Sequence, residues 1–283
     1  MRLRLPATAR PFGPICKLVT GQHIAVARVA EQLRDTYGAP ISTGTIISMV
    51  KEGAAMLEEF LTQVRDLLRA SEVVHADETG LRVKAALAWV HAVSSTELTL
   101  YHLDEKHCTE AMDAMGVIEH LSGFLVHDGW APYRKYDNVT HALCGAHHLR
   151  ELEAAESTDG QSWAADMAGL LTDTWHLVFE AKAAGQHALS DGVLAEVREN
   201  YMTIIVAGHV ANPPVAPSGK CGRTKRTKAH NLLLRFDAYA DDVLRFASAE
   251  AFLAFRSELS TAAKQGINRL DALQRLSPEI HGC

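Results

Sequence analysis

The sequence predicts an α/β protein in which a mixed β-sheet is flanked by helices, with a helical hairpin before the sheet and a mostly helical region after it. Three observations support this prediction. Apolar residues recur at helical spacing over the first 70 positions, they form short β-branched runs over residues 71–157, and helical spacing returns after Gly160. The order β-β-β-α-β-α-β-α is typical of a mixed sheet with helices on its faces.

The composition narrows the class of protein. The chain has 283 residues, 47% of them apolar, which suffices for one large domain or two small ones. With 28 Lys and Arg against 34 Asp and Glu, the net charge of −6 argues against a protein that coats nucleic acid over its whole surface, although not against a local basic patch. No apolar run is long enough for a membrane span, and the five cysteines contain no Cys-x-x-Cys pair. A reducing cytoplasm is therefore expected.

The N-terminal 70 residues predict two helices around a short turn. Residues 1–21 are expected to be irregular because Pro and Gly interrupt them, and a first helix is predicted over residues 23–37. Ser42 and Thr43 are good N-caps for a second helix over residues 44–70. The pair fits either a helix-turn-helix that enters a DNA groove or an ordinary antiparallel hairpin, and the weak turn signal favours the hairpin.

The remaining elements follow in chain order. Strands are predicted over residues 72–77, 81–94, 98–103, 123–128 and 139–143, and helices over 106–115 and 146–155. This core, residues 71–157, is followed by a helical insertion over 158–208 with helices at 163–184 and 193–207. A basic linker rich in Pro and Gly spans residues 209–228, and C-terminal helices are expected over 229–283.

Two acids end predicted strands. Asp77 closes the first strand and Asp128 the fourth, and in an RNase H-like topology these two strands lie side by side. Neighbouring carboxylates repel each other, and Mg²⁺ or Mn²⁺ relieves the repulsion while keeping water ligands. Two such ions about 3.5–4 Å apart promote in-line displacement at a phosphodiester. Each acid taken alone is better explained as a strand-end turn residue, so the metal site depends on their pairing.

Two further groups of residues have both a functional and an ordinary explanation. Cys144 and His147 form a Cys-x-x-His pair, half of a zinc site, but no second pair completes it, so structural zinc is not predicted. A run of five cations within the linker is explained equally well by contacts with DNA phosphates and by exposure to solvent in an ordinary loop. These cations are Lys220, Arg223, Lys225, Arg226 and Lys228.

Several longer strings resemble the insertion sequence 66 family of transposases. They are HADETGLRV from residue 75, VHDGWAPY from residue 126 and HALCGAHHLREL from residue 141, with ANPP from residue 211 and LSTAAKQG from residue 259. The resemblance covers about residues 22–276. It implies a DDE-type catalytic domain with an RNase H-like fold and a helical insertion before the third acid.

The resemblance also assigns roles to residues. Asp77 and Asp128 match the first two catalytic acids, which would hold Mg²⁺ or Mn²⁺, and Cys144 and His147 match a string that supports the site. The implied reaction is hydrolysis at the ends of a mobile element to free a 3′-hydroxyl, followed by attack of that hydroxyl on target DNA. The implied partners are element ends, target DNA, and further copies of the chain or a full-length transposase.

The sequence departs from the family where the third acid is expected. Family members carry an Asn-Asn-x-x-Glu motif there, and this chain has none, since residues 241–248 run directly into 249–254. We therefore predict an internal deletion at about residues 247–250. Glu250 is the acid at this seam that comes closest to a substitute, ahead of Glu258, but both are better explained as surface helix residues.

Three functions remain open from the sequence. The first is a transposase with impaired catalysis, and the second is a non-catalytic remnant that binds DNA or co-assembles with a complete transposase. The third, a stand-alone metal nuclease, requires Glu250 or Asp242 to lie beside Asp77 and Asp128.

Overall fold

The computed structural model of the protein describes residues 13–83, 85–186, 188–214 and 226–248. The chain divides into two compact units, Met1–Arg69 and Ala70–Cys283. Among the described residues, none of the helices combines the length and the hydropathy that a bilayer crossing requires.

The first unit is helical. Its elements are α1 (Gly13–Cys16), a π-helical turn (Lys17–Gly21), α2 (Val26–Tyr37), α3 (Thr43–Ala55) and α4 (Glu58–Arg69). Ile15, Val29 and Ile46 are buried together and form a small apolar core. Ser42 Oγ accepts the N–H of Thr45 at 3.1 Å, which confirms the predicted N-cap of α3.

Two predictions for this unit are wrong. The segment Gly13–Gly21, expected to be irregular, is helical, and the long helix over residues 44–70 is divided into α3 and α4. The last turn of α3 tightens at the break, where the Leu57 N–H donates to the Ala54 carbonyl at 3.0 Å. Apolar residues keep their helical spacing across this point, so periodicity alone does not reveal the break. The helix-turn-helix assignment of α2 and α3 stays a prediction.

The second unit is built on a five-stranded mixed sheet. Its strands are β1 (Val73–Val83), β2 (Ala86–Ser94), β3 (Thr99–Asp104), β4 (Phe124–His127) and β5 (Thr140–Leu143). The strand order is β3-β2-β1-β4-β5. The β1–β2 and β2–β3 pairs are antiparallel, and the β1–β4 and β4–β5 pairs are parallel. This confirms the predicted mixed sheet with flanking helices.

The helices of this unit follow the predicted order. They are α5 (Thr109–Ala114), α6 (Gly145–Asp159), α7 (Ser162–Ala183), α8 (Asp191–Ala211), α9 (Lys228–Ala238) and α10 (Ala240–Val243), with 3₁₀ turns at Ile118–His120, Ala131–Lys135 and Arg245–Ala247. Trp163, Tyr201 and Phe236 are the largest residues of their shared core. The buried hydroxyl of Tyr201 donates to the Phe236 carbonyl at 2.9 Å, so its polar atom is satisfied.

The first strand is longer than predicted. β1 continues through Asp77 and Gly80 to Val83, because its antiparallel pairing with β2 extends that far. Gly80 lies opposite Trp89, and a Cβ atom at position 80 would be in ordinary van der Waals contact with Leu87 at 3.4 Å and with the indole at 3.6 Å. The reversal occurs instead next to Ala85, whose φ is +68°. Asp77 is therefore inside a strand rather than at its end.

A close backbone contact fixes the start of β4 against β1. The Phe124 N–H donates to the Glu72 carbonyl at 2.8 Å, and a Cβ atom on the preceding Gly123 would lie 2.3 Å from that same oxygen. A side chain at position 123 would overlap the neighbouring strand. Glycine at this position therefore permits the spacing and register of β4 on β1.

Acidification is expected to destabilise the protein through His148, which is buried against Phe236 at a ring distance of 4.7 Å. Burial, aided by the charge of Arg235, lowers its pKa from 6.5 to about 3. The unfolded chain binds a proton there below about pH 6.5 and the folded protein does not, so the free energy of unfolding decreases as the pH falls, by up to ~1.4 kcal/mol per unit. Urea unfolding between pH 7 and 5 measures this slope, to which His127 contributes in the same direction. We expect His148→Leu to reduce the slope without abolishing it, and an unchanged slope would contradict the assignment.

Candidate active site

The parallel pairing of β1 with β4 leads toward the two predicted acids. The last pair of this ladder places His75 opposite Val126, and Asp77 and Asp128 each lie two residues further along the chain. Residues at one level of neighbouring parallel strands project from the same face of the sheet. The register of the ladder therefore directs Asp77 and Asp128 toward the same level, although only Asp128 follows the end of its strand.

Each carboxylate is oriented by one backbone amide. Asp77 Oδ1 accepts the N–H of Glu78 at 2.9 Å, and Asp128 Oδ1 accepts the N–H of Trp130 at 2.8 Å. Among the described residues no further hydrogen bond reaches either carboxylate, which leaves an oxygen of each for another ligand. Two adjacent carboxylates with unused oxygens fit a hard divalent cation that keeps water ligands. The described residues contain no cluster of three or more His, Cys, Asp or Glu side chains arranged around a metal position.

Cys144 and His147 lie on the other side of Asp128. The Cys144 N–H donates to the His127 carbonyl at 2.8 Å, which continues the β4–β5 ladder to the level of Asp128. Burial by itself would raise the pKa of the Cys144 thiol, but its interaction with His147 outweighs burial and lowers that pKa. The same interaction, with a contribution from Asp77, raises the pKa of His147. The negative charge of Asp77 thus acts on the Cys144–His147 pair.

The residue after Asp128 is conformationally restricted. Gly129 has a φ of +94°, a value that favours glycine. A Cβ atom at this position would also lie 3.2 Å from Cδ of Arg235 on α9, whose guanidinium pairs with Glu151 on α6. The backbone turn at Asp128 is therefore packed directly against the helical layer.

His127, the last residue of β4, stabilises the backbone around Asp128 through a chain of hydrogen bonds. The Tyr136 carbonyl can only accept, so His141 Nε2 donates to it at 3.1 Å and His141 Nδ1 accepts from His127 Nε2 at 3.0 Å. His127 Nδ1 in turn accepts the Gly129 N–H at 3.0 Å. Burial lowers the pKa of both imidazoles, that of His127 to about 3, which is consistent with neutral rings.

Comparison of the sequence with known protein families gives a match over most of its length. The sequence profile of the transposase IS66 family matches residues 14–251, which is most of the chain. The chain belongs to the transposase IS66 family. No curated protein matches the sequence at a significant level. Membership of this family supports a function in DNA transposition, with DNA as the partner, and DDE transposases in general use divalent metal ions.

The IS66-family chain also contains a buried hydrogen-bonded cluster that the sequence analysis missed. Glu78 Oε2 accepts the hydroxyl proton of Tyr133 at 2.6 Å, and Glu78 Oε1 lies 3.2 Å from His107 Nε2. The His107 ring is stacked between Trp89 and Trp130, with ring-centroid distances of 3.9 and 3.8 Å. Glu78, Trp130 and Tyr133 belong to the strings that indicate the family, and this was the only sequence signal for them.

Of the remaining predicted residues of this transposase-family chain, the structure describes Asp242, Arg226 and Lys228. Asp242 forms ion pairs with Arg134 at 2.5 Å and with Arg245 at 3.3 Å. One of the two residues that the nuclease hypothesis offers as the third acid is therefore already paired with arginines. Glu250 lies outside the described residues, as do Lys220, Arg223 and Lys225. Arg226 and Lys228 are exposed just before and at the start of α9.

Proposed function

We propose that this protein is a DDE-type DNA transposase with an RNase H-like catalytic core and with strongly reduced activity. Asp77 and Asp128 bind Mg²⁺ or Mn²⁺ and promote hydrolysis and strand transfer at the ends of a mobile element. The basic segment Lys220–Lys228 and the N-terminal helices bind DNA phosphates, and Cys144 with His147 supports the acid pair. The protein acts in the cytoplasm, as a homo-oligomer or together with a complete transposase.

The register of β1 and β4, which pairs His75 with Val126 two residues before Asp77 and Asp128, is the observation that supports the mechanism most directly. A divalent ion bound between two carboxylates stabilises the charge that develops on a displaced phosphodiester oxygen. The strand order β3-β2-β1-β4-β5, in which the first and fourth strands lie side by side, supports the RNase H-like core that the family resemblance implies. Family membership supplies the reaction class independently of this geometry.

Reduced activity follows from the missing third acid. The Asn-Asn-x-x-Glu motif is absent from the whole sequence, and the family match ends at residue 251, next to the predicted seam. Asp242, the described acid that the nuclease hypothesis needs, is held by two arginines. With one carboxylate fewer, the metal position is less well defined, and a shift of about 1 Å already costs ~10²-fold in rate.

The proposal is tested with the full chain and duplex DNA from the ends of its own element. We expect Mn²⁺ binding in calorimetry, and cleavage or joining that is slower by orders of magnitude than that of a complete family member on the same DNA. Failure to bind Mn²⁺ together with failure to cut would contradict the metal mechanism. Cleavage at the rate of the complete enzyme would contradict the impairment.

A second candidate function is a non-catalytic remnant that binds DNA or a complete transposase, and the exposed Arg226 and Lys228 favour it. Each phosphate neutralised by a cation contributes a slope of about −0.9 to the dependence of log affinity on log salt. We expect gel shifts at rising salt to show such a slope. Replacing five cations with glutamine should reduce the magnitude of this slope by up to about 4.5 if all five contact phosphates. These cations are Lys220, Arg223, Lys225, Arg226 and Lys228.

This second function would be contradicted if the wild-type chain bound no DNA at any salt concentration and also did not associate with a complete family transposase. If the five substitutions leave the dependence of log affinity on log salt unchanged, another part of the chain must bind the DNA.

A further inference from the structure

We propose that Glu78 is a positioning residue for the acid pair, and that it acts through Tyr133 and His107 on the turn that contains Asp128. This inference rests on the proposed function, because it concerns how the two carboxylates are held for a metal ion. The inference assigns a role to Glu78, whose side chain lies on the opposite face of the sheet from Asp77.

The position of Glu78 in β1 is the first step. Glu78 follows Asp77 directly, and the regular pairing of β1 with β2 continues through both residues, so their side chains project from opposite faces. Asp77 therefore projects from one face of the sheet, and Glu78 projects from the other face. A displacement of the β1 backbone at this point would move both side chains together.

The second step is the contact between Glu78 and the segment after β4. Asp128 directly follows β4, the N–H of Trp130 orients its carboxylate, and Tyr133 lies in the 3₁₀ turn that follows. The buried Tyr133 hydroxyl donates to Glu78 Oε2 at 2.6 Å. This hydrogen bond joins the strand that contains Asp77 to the turn that contains Asp128.

The third step is a second connection to the same turn. His107 hydrogen-bonds Glu78 through Nε2 at 3.2 Å, and its ring lies flat on that of Trp130, with an interplanar angle of 1°. Trp130 is the residue whose N–H binds Asp128. Glu78 thus contacts the Asp128 turn through two separate side chains, one by hydrogen bonding alone and one through an aromatic stack.

The electrostatics agree with a buried carboxylate close to the acid pair. Burial raises the pKa of Glu78, and the charge of Asp128 raises it further, while hydrogen bonds from Tyr133 and His107 oppose both effects. The pKa of Tyr133 is raised by its burial and by the negative charge of Glu78, so its hydroxyl remains a donor. A buried carboxylate in this position costs stability unless such donors satisfy it.

The chain provides a matched pair of variants for the test. Tyr201 is likewise buried and donates its hydroxyl to an oxygen, the Phe236 carbonyl on α9 at 2.9 Å. Both Tyr133→Phe and Tyr201→Phe remove one such hydrogen bond. We expect Tyr133→Phe to weaken Mn²⁺ binding by the full chain about 10-fold or more, as loss of a side chain that orients a metal ligand does. Tyr201→Phe should leave Mn²⁺ affinity unchanged.

Titration with Mn²⁺ alone, followed by calorimetry and by the paramagnetic resonance signal of the free ion, gives the affinities. If Tyr133→Phe does not fold, His107→Phe replaces it, because phenylalanine keeps the stack between the tryptophans and removes only the hydrogen bond to Glu78. Equal Mn²⁺ affinities of the wild type and the Tyr133 or His107 variant would overturn this inference alone. A wild-type chain that binds no Mn²⁺ would overturn the proposed function, and the inference with it.

Discussion

Replacing Asp128 with asparagine is expected to weaken Mn²⁺ binding by about 10²-fold or more, since the number of charged ligands largely sets the affinity of such sites. Asp128 is one of the two carboxylates that hold the metal ion in the proposed site, and asparagine keeps its shape but removes its charge. Any metal-dependent cleavage by the wild-type chain should fall below detection. Calorimetry with Mn²⁺ and the cleavage assay measure the two effects.

Asp104 provides a matched control for this substitution. It ends β3, and its Oδ1 accepts the N–H of Lys106 two residues later at 2.7 Å, as Asp128, directly after β4, accepts the N–H of Trp130. Asp104→Asn therefore makes the same change in a similar turn, on a strand that is separated from β1 by β2. We expect it to keep Mn²⁺ affinity, and an equal loss in the two variants would show that the effect is not specific to the acid pair.

Replacing Gly123 with alanine is expected to lower the free energy of unfolding by about 3 kcal/mol or more, because the methyl group meets fixed backbone rather than a movable side chain. The new Cβ atom would lie 2.3 Å from the Glu72 carbonyl oxygen. The two strands must separate or slip at this point, and Mn²⁺ affinity should decrease as well because β4 leads to Asp128. Urea unfolding followed by circular dichroism measures the loss.

Gly169→Ala is the control for this second prediction. Gly169 lies inside α7, and nothing lies within 4 Å of the position that its Cβ would take. Alanine there should raise the free energy of unfolding by up to about 1 kcal/mol through helix propensity. Equal stabilities of the Gly123→Ala variant and the wild type would contradict the close contact between β1 and β4.

The sheet was predictable because its signals are local. Short apolar runs separated by turns indicated all five strands, whereas the assignment of Asp77 and Asp128 as catalytic acids stays a prediction. Gly80 was misleading for the same reason. It is a turn signal locally, yet it lies inside β1 because the antiparallel pairing with β2 continues through it.

The cluster around Glu78 could not be predicted in this way. Glu78 and Tyr133 are 55 positions apart, and their hydrogen bond exists only because β4 pairs with β1 in one particular register. A carboxylate next to Asp77 in sequence also suggests a second metal ligand, whereas strand alternation directs it to the opposite face. Its partners were visible in the sequence only as members of family strings, without a role.

The stack of His107 between Trp89 and Trp130 makes the Asp128 turn optically distinctive. The chain has four tryptophans, and two of them lie within 4 Å of one imidazole ring, a common quencher of indole emission. Their fluorescence consequently reports on a single small region rather than on the protein as a whole. A ligand that rearranges this turn would therefore increase the intensity of the intrinsic tryptophan fluorescence, which can be measured without a label.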